Sequence, residues 1–178
     1  DLRKIKIRVM KKWCLIMLLS LGLNNIKAQN FVWAQRGGLY AFDYGNGIAN
    51  DAAGNTYVAG KYEQNAKFSG VTLPNQGNHD IFVAKYSPSG SLTWIRTAGG
   101  SSGDYAHCIA CDNSFVYVGG EIQIAGTIKF IGSPITLTVK GSNDIVVAKY
   151  DLNGNLIWAK RGGDVYDDKC LGISYDAA

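Results

Sequence analysis

The chain has 178 residues, room for one compact domain, and its 22 glycines against 3 prolines and 18% charged residues argue against a collagen-like or disordered chain. Glycine costs about 1 kcal/mol per helix-interior position relative to alanine. Ten Tyr, 6 Phe and 4 Trp, with many Val, Ile and Thr, suit a pleated surface instead, so helical bundles are disfavoured and the expected class is all-β.

The formal charge of +4 belongs to the start of the chain. Residues 1–29 hold seven bases and one acid, and from Asn30 onward 11 bases face 13 acids. That remainder has no basic stripe, so no nucleic-acid partner is expected. Residues 1–9 precede Met10 and read as upstream sequence or a mis-set start. Met10-Lys11-Lys12, the apolar run Trp13 to Leu23 and the polar end Ile26-Lys27-Ala28-Gln29 have the layout of a signal peptide over 10–28, with cleavage after Ala28. The apolar run is 11 residues, short of the roughly 20 that a membrane-spanning helix needs, so no span is expected in the mature chain. Cys14 stands at the front of that run rather than after it, which argues against lipidation.

Residues 29–178 are organised by a repeat. The segment DIFVAKYSPSGSLTW (80–94) recurs as DIVVAKYDLNGNLIW (144–158), an offset of 64 with nine of fifteen positions identical. Leu73 and Gly77 pair with Leu137 and Gly141 at the same offset, Phe68 and Gly70 with Phe130 and Gly132 at 62, and Tyr57, Val58 and Gly60 with Tyr117, Val118 and Gly120 at 60. Trp33, Asp43, Ile48 and Asp51 pair with Trp94, Asp104, Ile109 and Asp112 at 61. The units run over about 33–94, 95–158 and a truncated 159–178 that follows the same course through Gly162-Gly163 to Ile173 and Asp176.

Within a unit, turn residues separate short strands. Asp51-Ala52-Ala53-Gly54-Asn55 joins an apolar run to Thr56–Ala59, and Ser87-Pro88-Ser89-Gly90 joins Asp80–Tyr86 to Leu92–Arg96, so each unit holds two hairpins. Alternation puts Ile81 and Val83 on one face and Phe82, Ala84 and Tyr86 on the other. Both faces are apolar, and both need cover. Four-stranded antiparallel units repeated radially supply it, which predicts a partial β-propeller of two full blades and the start of a third. The surplus over a 40–45-residue blade lies in 61–79 and 121–143, where an extended loop or extra hairpin is expected and where binding specificity would sit.

The pattern Gly-x-Ile-Ala-x-Asp-x-x-Gly-Asn-x-Tyr-Val-x-Gly, then Phe-x-Gly, then Gly-x-x-Asp-Ile-x-Val-Ala-Lys-Tyr-x-x-x-Gly-x-Leu-x-Trp, resembles the bacterial β-propeller repeat family known as SBBP over about residues 31–178. The second copy departs from it at Cys111-Asp112-Asn113-Ser114-Phe115, which lacks the Gly-Asn turn and is one residue shorter. The resemblance implies a secreted or cell-surface protein, often with a C-terminal sorting domain, and no settled activity. Two full copies do not close a ring of four to eight blades, so the chain reads as a fragment. Phe31–Arg36 resembles the strand carrying Trp94 and Trp158 but has no strand before it to pair with. It is expected to complete the last blade of a ring; an open β-array is the alternative.

The candidate chemistry is sparse. Ala84, Gly90, Trp94 and Ala148, Gly154, Trp158 share a spacing with the tryptophan-docking pattern of quinoprotein propellers, but an indole between neighbouring blades explains Trp33, Trp94 and Trp158 without a cofactor. Asp80 and Asp144, Asp43 and Asp104, and Asp51 and Asp112 recur in register, as turn and cap residues do and as an unequal catalytic pair does not. Asp151-Leu152-Asn153-Gly154-Asn155 lacks the distal glutamate of a calcium loop. Cys108-x-x-Cys111 has no second pair to complete a zinc site; small strand positions account for it, and Cys170 could bridge to one of the two in an oxidising compartment. His79 lies in a polar turn opposite Asn143 in the next copy, with no triad or metal cluster to be built around it. No catalytic, cofactor or metal residue is therefore assigned. The expected function is a secreted or surface-displayed scaffold for protein or glycan interaction or adhesion. The alternative is a hydrolase, lyase or quinoprotein-type enzyme, whose telltale would be an acidic or histidine cluster breaking the repeat on one rim.

Overall fold

A computed structural model describes residues 32–123 and 126–176, so the expected upstream segment 1–9, the signal peptide 10–28 and Phe31 lie outside the described residues. The chain is all-β, and the described strands are antiparallel partners of one another. They are β1 (Tyr44–Asn50), β2 (Thr56–Glu63), β3 (Lys67–Phe68), β4 (Val71–Thr72), β5 (His79–Tyr86), β6 (Leu92–Gly99), β7 (Asp104–Cys111), β8 (Phe115–Gln123), β9 (Thr127–Phe130), β10 (Thr136–Thr138), β11 (Asn143–Asp151) and β12 (Leu156–Gly162).

Two four-stranded meanders result, β1-β2-β5-β6 and β7-β8-β11-β12, each strand paired with its neighbour in that order. The insertions at 61–79 and 121–143 form the hairpins β3–β4 and β9–β10, and β9 reaches back to pair Ala98↔Phe130 and Gly99↔Lys129 on the outer strand of the first unit. Each first strand carries an irregular step at the same place, between Gly45 and Gly47 and between Ala106 and Cys108. The extra residues there are Asn46 and His107. The Asn46 side-chain amide donates to the Ala106 carbonyl at 2.8 Å, which ties one first strand to the next.

The turns at one end of both units are clamped by aspartates. Asp51 accepts the backbone N–H groups of Ala53 (3.0 Å) and Asn55 (2.9 Å), the Asn55 amide (2.8 Å) and the Tyr57 hydroxyl (2.9 Å). Its slight burial opposes ionisation, and the bonds from Asn55, Tyr57 and Ala53 outweigh that and hold the carboxyl below its ordinary range. Asp112 repeats the arrangement in the shorter turn with Ser114, Phe115 and Tyr117, and Asp151 does so with Asn153 and Asn155. Asp51→Ala is expected to cost about 1–2 kcal/mol in urea unfolding, because it strips two turn donors and the buried Tyr57 hydroxyl of their acceptor. An unchanged midpoint would contradict that role.

The two faces of β5 separate as alternation requires. Ile81 and Val83 join Tyr57, Ala59, Trp94 and Ala98 in a core shared with Ile109, Val116, Val118, Val146 and Tyr150 of the second unit. Phe82, Ala84 and Tyr86 face Tyr62, Phe68, Leu73 and Trp33 on the other side. The units therefore bury their apolar faces against neighbours rather than against water.

Tryptophan makes the inter-unit contact specific. Trp94 is 7% exposed, and its indole N–H donates to the Leu152 carbonyl of the next unit at 3.0 Å. Its ring lies over Gly154, whose φ of +80° suits glycine and whose missing side chain leaves room for the indole. Arg96 donates to the Gly154 carbonyl at 2.8 Å and Lys85 to the Leu152 carbonyl at 3.1 Å. The same geometry recurs one unit earlier: Trp33 stacks on Tyr86 with centroids 5.9 Å apart and lies over Gly90.

Among the described residues Trp33–Arg36 has no strand ladder, and the Gly37↔Phe68 bridge follows it. That bridge is the counterpart of Ala98↔Phe130 one unit on, so the leading segment follows the course that β6 takes across the second unit. At the other end, Gly163–Asp176 contains no strand, and Asp168 N–H donates to the Asn143 carbonyl (2.9 Å) and Cys170 N–H to the Gly120 carbonyl (3.3 Å).

Candidate functional site

The meanders put the starts of β1, β5 and β7 and the ends of β2 and β8 at one end of the sheets, opposite the aspartate-clamped turns. A chain of side-chain contacts runs across that end. His79 Nε2 lies against the Glu63 carboxylate, and Tyr105 lies within hydrogen-bonding distance of His79 Nδ1 at 3.1 Å. With the Nε2 proton directed at Glu63, Nδ1 is left to accept, and Tyr105 O–H is the donor. Burial raises the Tyr105 phenol above its ordinary value, and the Glu121, Asp104 and Glu63 carboxylates raise it further, which keeps that donor proton in place.

The chain continues into the second unit. Tyr105 and His107 stack with centroids 6.1 Å apart, His107 lies 3.5 Å from Glu121, and Lys169 is 3.1 Å from the same carboxylate. Glu121 is 4% exposed, and the Lys169 ammonium beside it compensates for lost hydration. Lys61 extends over both Tyr44 (4.9 Å) and Tyr105 (4.8 Å), joining the rings of consecutive units through one ammonium.

This group corrects the sequence expectation for His79. It starts β5 rather than sitting in a free turn, and strand pairing sets it opposite Glu63 (Glu63↔His79) while a parallel bridge to Gly103 brings Tyr105 alongside. Glu63, Tyr105, Glu121, Lys61 and Lys169 were not singled out by motif. A signal for them does exist: at repeat-equivalent positions Gln123 replaces Glu63, Asn143 replaces His79, Asn46 replaces His107, and Lys61 stands where the next copy has Glu121. Scaffold residues recur between the copies and these four positions do not, whereas Tyr105 recurs as Tyr44 and carries no such signal.

The recurring aspartates have separate places. Asp43, Asp104 and Asp168 each accept a backbone N–H from four residues earlier, Leu39, Gly100 and Asp164, and Asp80 and Asp144 accept from Gln76 and Lys140. Asp144 also pairs with Arg161 at 2.9 Å. Cys111 lies at the turn end of β7 beside Asp51 and Asp112, away from Cys108, which instead faces Cys170. Among the described residues no group of three or more His, Cys, Asp or Glu side chains could hold a metal ion, and no helix is long and apolar enough to cross a membrane.

A concavity of about 510 Å³ opens between the units beside both insertions and is lined by Leu73, Pro74, Arg96, Ile131, Pro134 and Asn155 among others. Its size is that of a ligand pocket. Arg96, its one cationic side chain, is already engaged by three carbonyls, those of Gly154, Asn153 and Ile95.

No family model matches the chain. It is 24% identical over 143 residues to an uncharacterized WD repeat-containing protein of Acanthamoeba polyphaga mimivirus, an alignment that takes in 72% of this chain and 10% of that protein. The chain thus spans about a tenth of the length of the curated relative it matches.

Proposed function

We propose that the chain is part of a β-propeller of the SBBP type, secreted or displayed on the cell surface, that serves as an interaction or adhesion scaffold for a glycan or protein. The observation that carries the reading is the repeated docking of a tryptophan on the turn glycine of the four-stranded meander that follows it, Trp33 on Gly90 and Trp94 on Gly154. Such head-to-tail contacts, with first strands adjacent and insertions at the outer edge, are how four-stranded units repeat about an axis. The WD repeat relative fits the same architecture, since WD repeats are propeller blades. Ile48 is 67% exposed whereas its counterpart Ile109, covered by the first unit, is 8% exposed, as expected of a face that a further repeat covers. In this reading Trp33–Arg36 is the last strand of a neighbouring blade, set against the first unit by the Gly37↔Phe68 bridge as β6 is set against the second by Ala98↔Phe130.

The ligand face is the end of the sheets bearing Glu63, His79, Tyr105 and His107. Carboxylates that accept, a phenol and imidazoles that donate, and the half-exposed ring of Tyr44 beside them are the groups a hydroxyl-rich ligand uses. The test is a glycan array probed with the protein and with Tyr105→Phe and His79→Ala. A defined subset of glycans retained by the protein and weakened about tenfold or more in both variants supports the reading. Equal retention by all three would reject this face.

An enzyme is the second reading, favoured by one observation: the Glu63–His79–Tyr105 hydrogen-bond chain has the carboxylate, imidazole and hydroxyl order of an acid–base relay. Cleavage of a glycan that the array retains, lost in Tyr105→Phe, would replace the scaffold by a hydrolase or lyase.

A further inference from the structure

We infer that Cys108 and Cys170 form a disulfide that staples the third repeat's leading segment to the second unit. Their sulfurs are 3.8 Å apart, across 62 residues of sequence. Each cysteine replaces a residue without bulk in the other copies. Cys108 stands where the first copy has Gly47 and the third has Gly172, and Cys170 stands where the first has Gly45 and the second has Ala106. At the first junction Gly47 lets the backbone of Ile109 and Cys108 approach it closely. At the second junction, the two substitutions face one another.

The site is shaped for both sulfurs. Gly119 pairs with Cys108 in the ladder, and a side-chain carbon at Gly119 would meet both cysteine sulfurs. Any larger residue there would fill the notch. The Cys170 backbone is fixed by its N–H bond to the Gly120 carbonyl at 3.3 Å, beside the irregular step at His107. Burial pushes the Cys108 thiol up to about 12, with Cys170 adding to it, so this is a structural pair rather than an exposed reactive thiolate. Cys111, at the other end of the same strand, has no such partner sulfur near it among the described residues.

The oxidation needs a small-molecule disulfide such as oxidised glutathione. One cysteine thiolate attacks it to give a mixed disulfide and releases one glutathione thiol; the second cysteine then displaces the other glutathione. Two protons and two electrons leave the protein, and two glutathione thiols form.

The test equilibrates the whole chain in an oxidised and reduced glutathione mixture, alkylates it without reduction and maps the peptides by mass. The expected result is a peptide containing Cys108 joined to one containing Cys170, two hydrogens lighter than the pair, that survives in Cys111→Ser and is absent in Cys170→Ser. Reduction is expected to lower Tm by about 5–10 °C in the protein and to leave Cys170→Ser unmoved. Alkylation of both Cys108 and Cys170 as free thiols, or a bridge to Cys111 or Cys14 in its place, would overturn the assignment.

Discussion

Trp94→Ala is expected to destabilise the chain by about 3–5 kcal/mol, with Trp158→Ala at the same repeat position costing much less. Trp94 is almost fully covered, donates its indole N–H across the junction and packs on Tyr57 at 6.0 Å between centroids. Its loss empties a space that Gly154, Leu152 and the turn backbone cannot refill, since that turn is fixed by Asp151. It also strands the Leu152 carbonyl with only Lys85 as donor. Trp158 is only partly buried, so its removal opens no enclosed cavity. Urea unfolding of the two variants side by side tests this. Equal losses would mean that the tryptophans stabilise their own units and do not join one unit to the next.

Stability is also expected to fall as pH rises from about 4 to about 7, the reverse of the usual carboxylate behaviour. Burial pushes Asp104 up to about 7, against the backbone bonds from Gly100 and Gln123 that pull it down, and pushes Asp80 up to about 6. Both are 0% exposed. A carboxyl whose folded pKa exceeds its unfolded value of 3.8 binds its proton more tightly when folded. The native state therefore gains from protonation at low pH and loses that gain as pH climbs through the folded values.

The turn residues Asp51, Asp112 and Asp151 act in the opposite sense, since their folded values are lowered and their contribution is lost only below about pH 4. A maximum near pH 4–5 and a decline of about 2–4 kcal/mol toward neutrality follow. Asp104→Asn keeps an acceptor oxygen for Gly100 N–H and removes the charge, so it is expected to flatten the decline and to raise stability at neutral pH. Stability that rises between about pH 4 and pH 7, or an unaltered slope in Asp104→Asn, would contradict the burial argument.

The strand plan was legible because turn chemistry is local. Asp51-Ala-Ala-Gly-Asn, Ser87–Gly90 and Asp151–Asn155 mark their hairpins by residue type alone, and the apolar alternation of Ile81–Tyr86 announced a sheet covered on both faces. The candidate site was not legible in the same way. Glu63, His79, Tyr105, Glu121 and Lys169 come from β2, β5, β7, β8 and the segment after β12, and their proximity depends on how consecutive units stand side by side. No local spacing encodes that. The sequence neighbours of His79 are polar turn residues, whereas its partners arrive from 16 and 26 positions away.

Proton NMR of the folded chain, through nuclear Overhauser contacts from the indole rings, tests the head-to-tail arrangement most directly. The Trp94 ring is expected to show contacts to the Gly154 α-protons, and the Trp33 ring to those of Gly90, with the glycine signals shifted upfield by the ring above them. Indole contacts confined to each tryptophan's own meander, with Gly90 and Gly154 at ordinary positions, would mean that the units do not dock on one another.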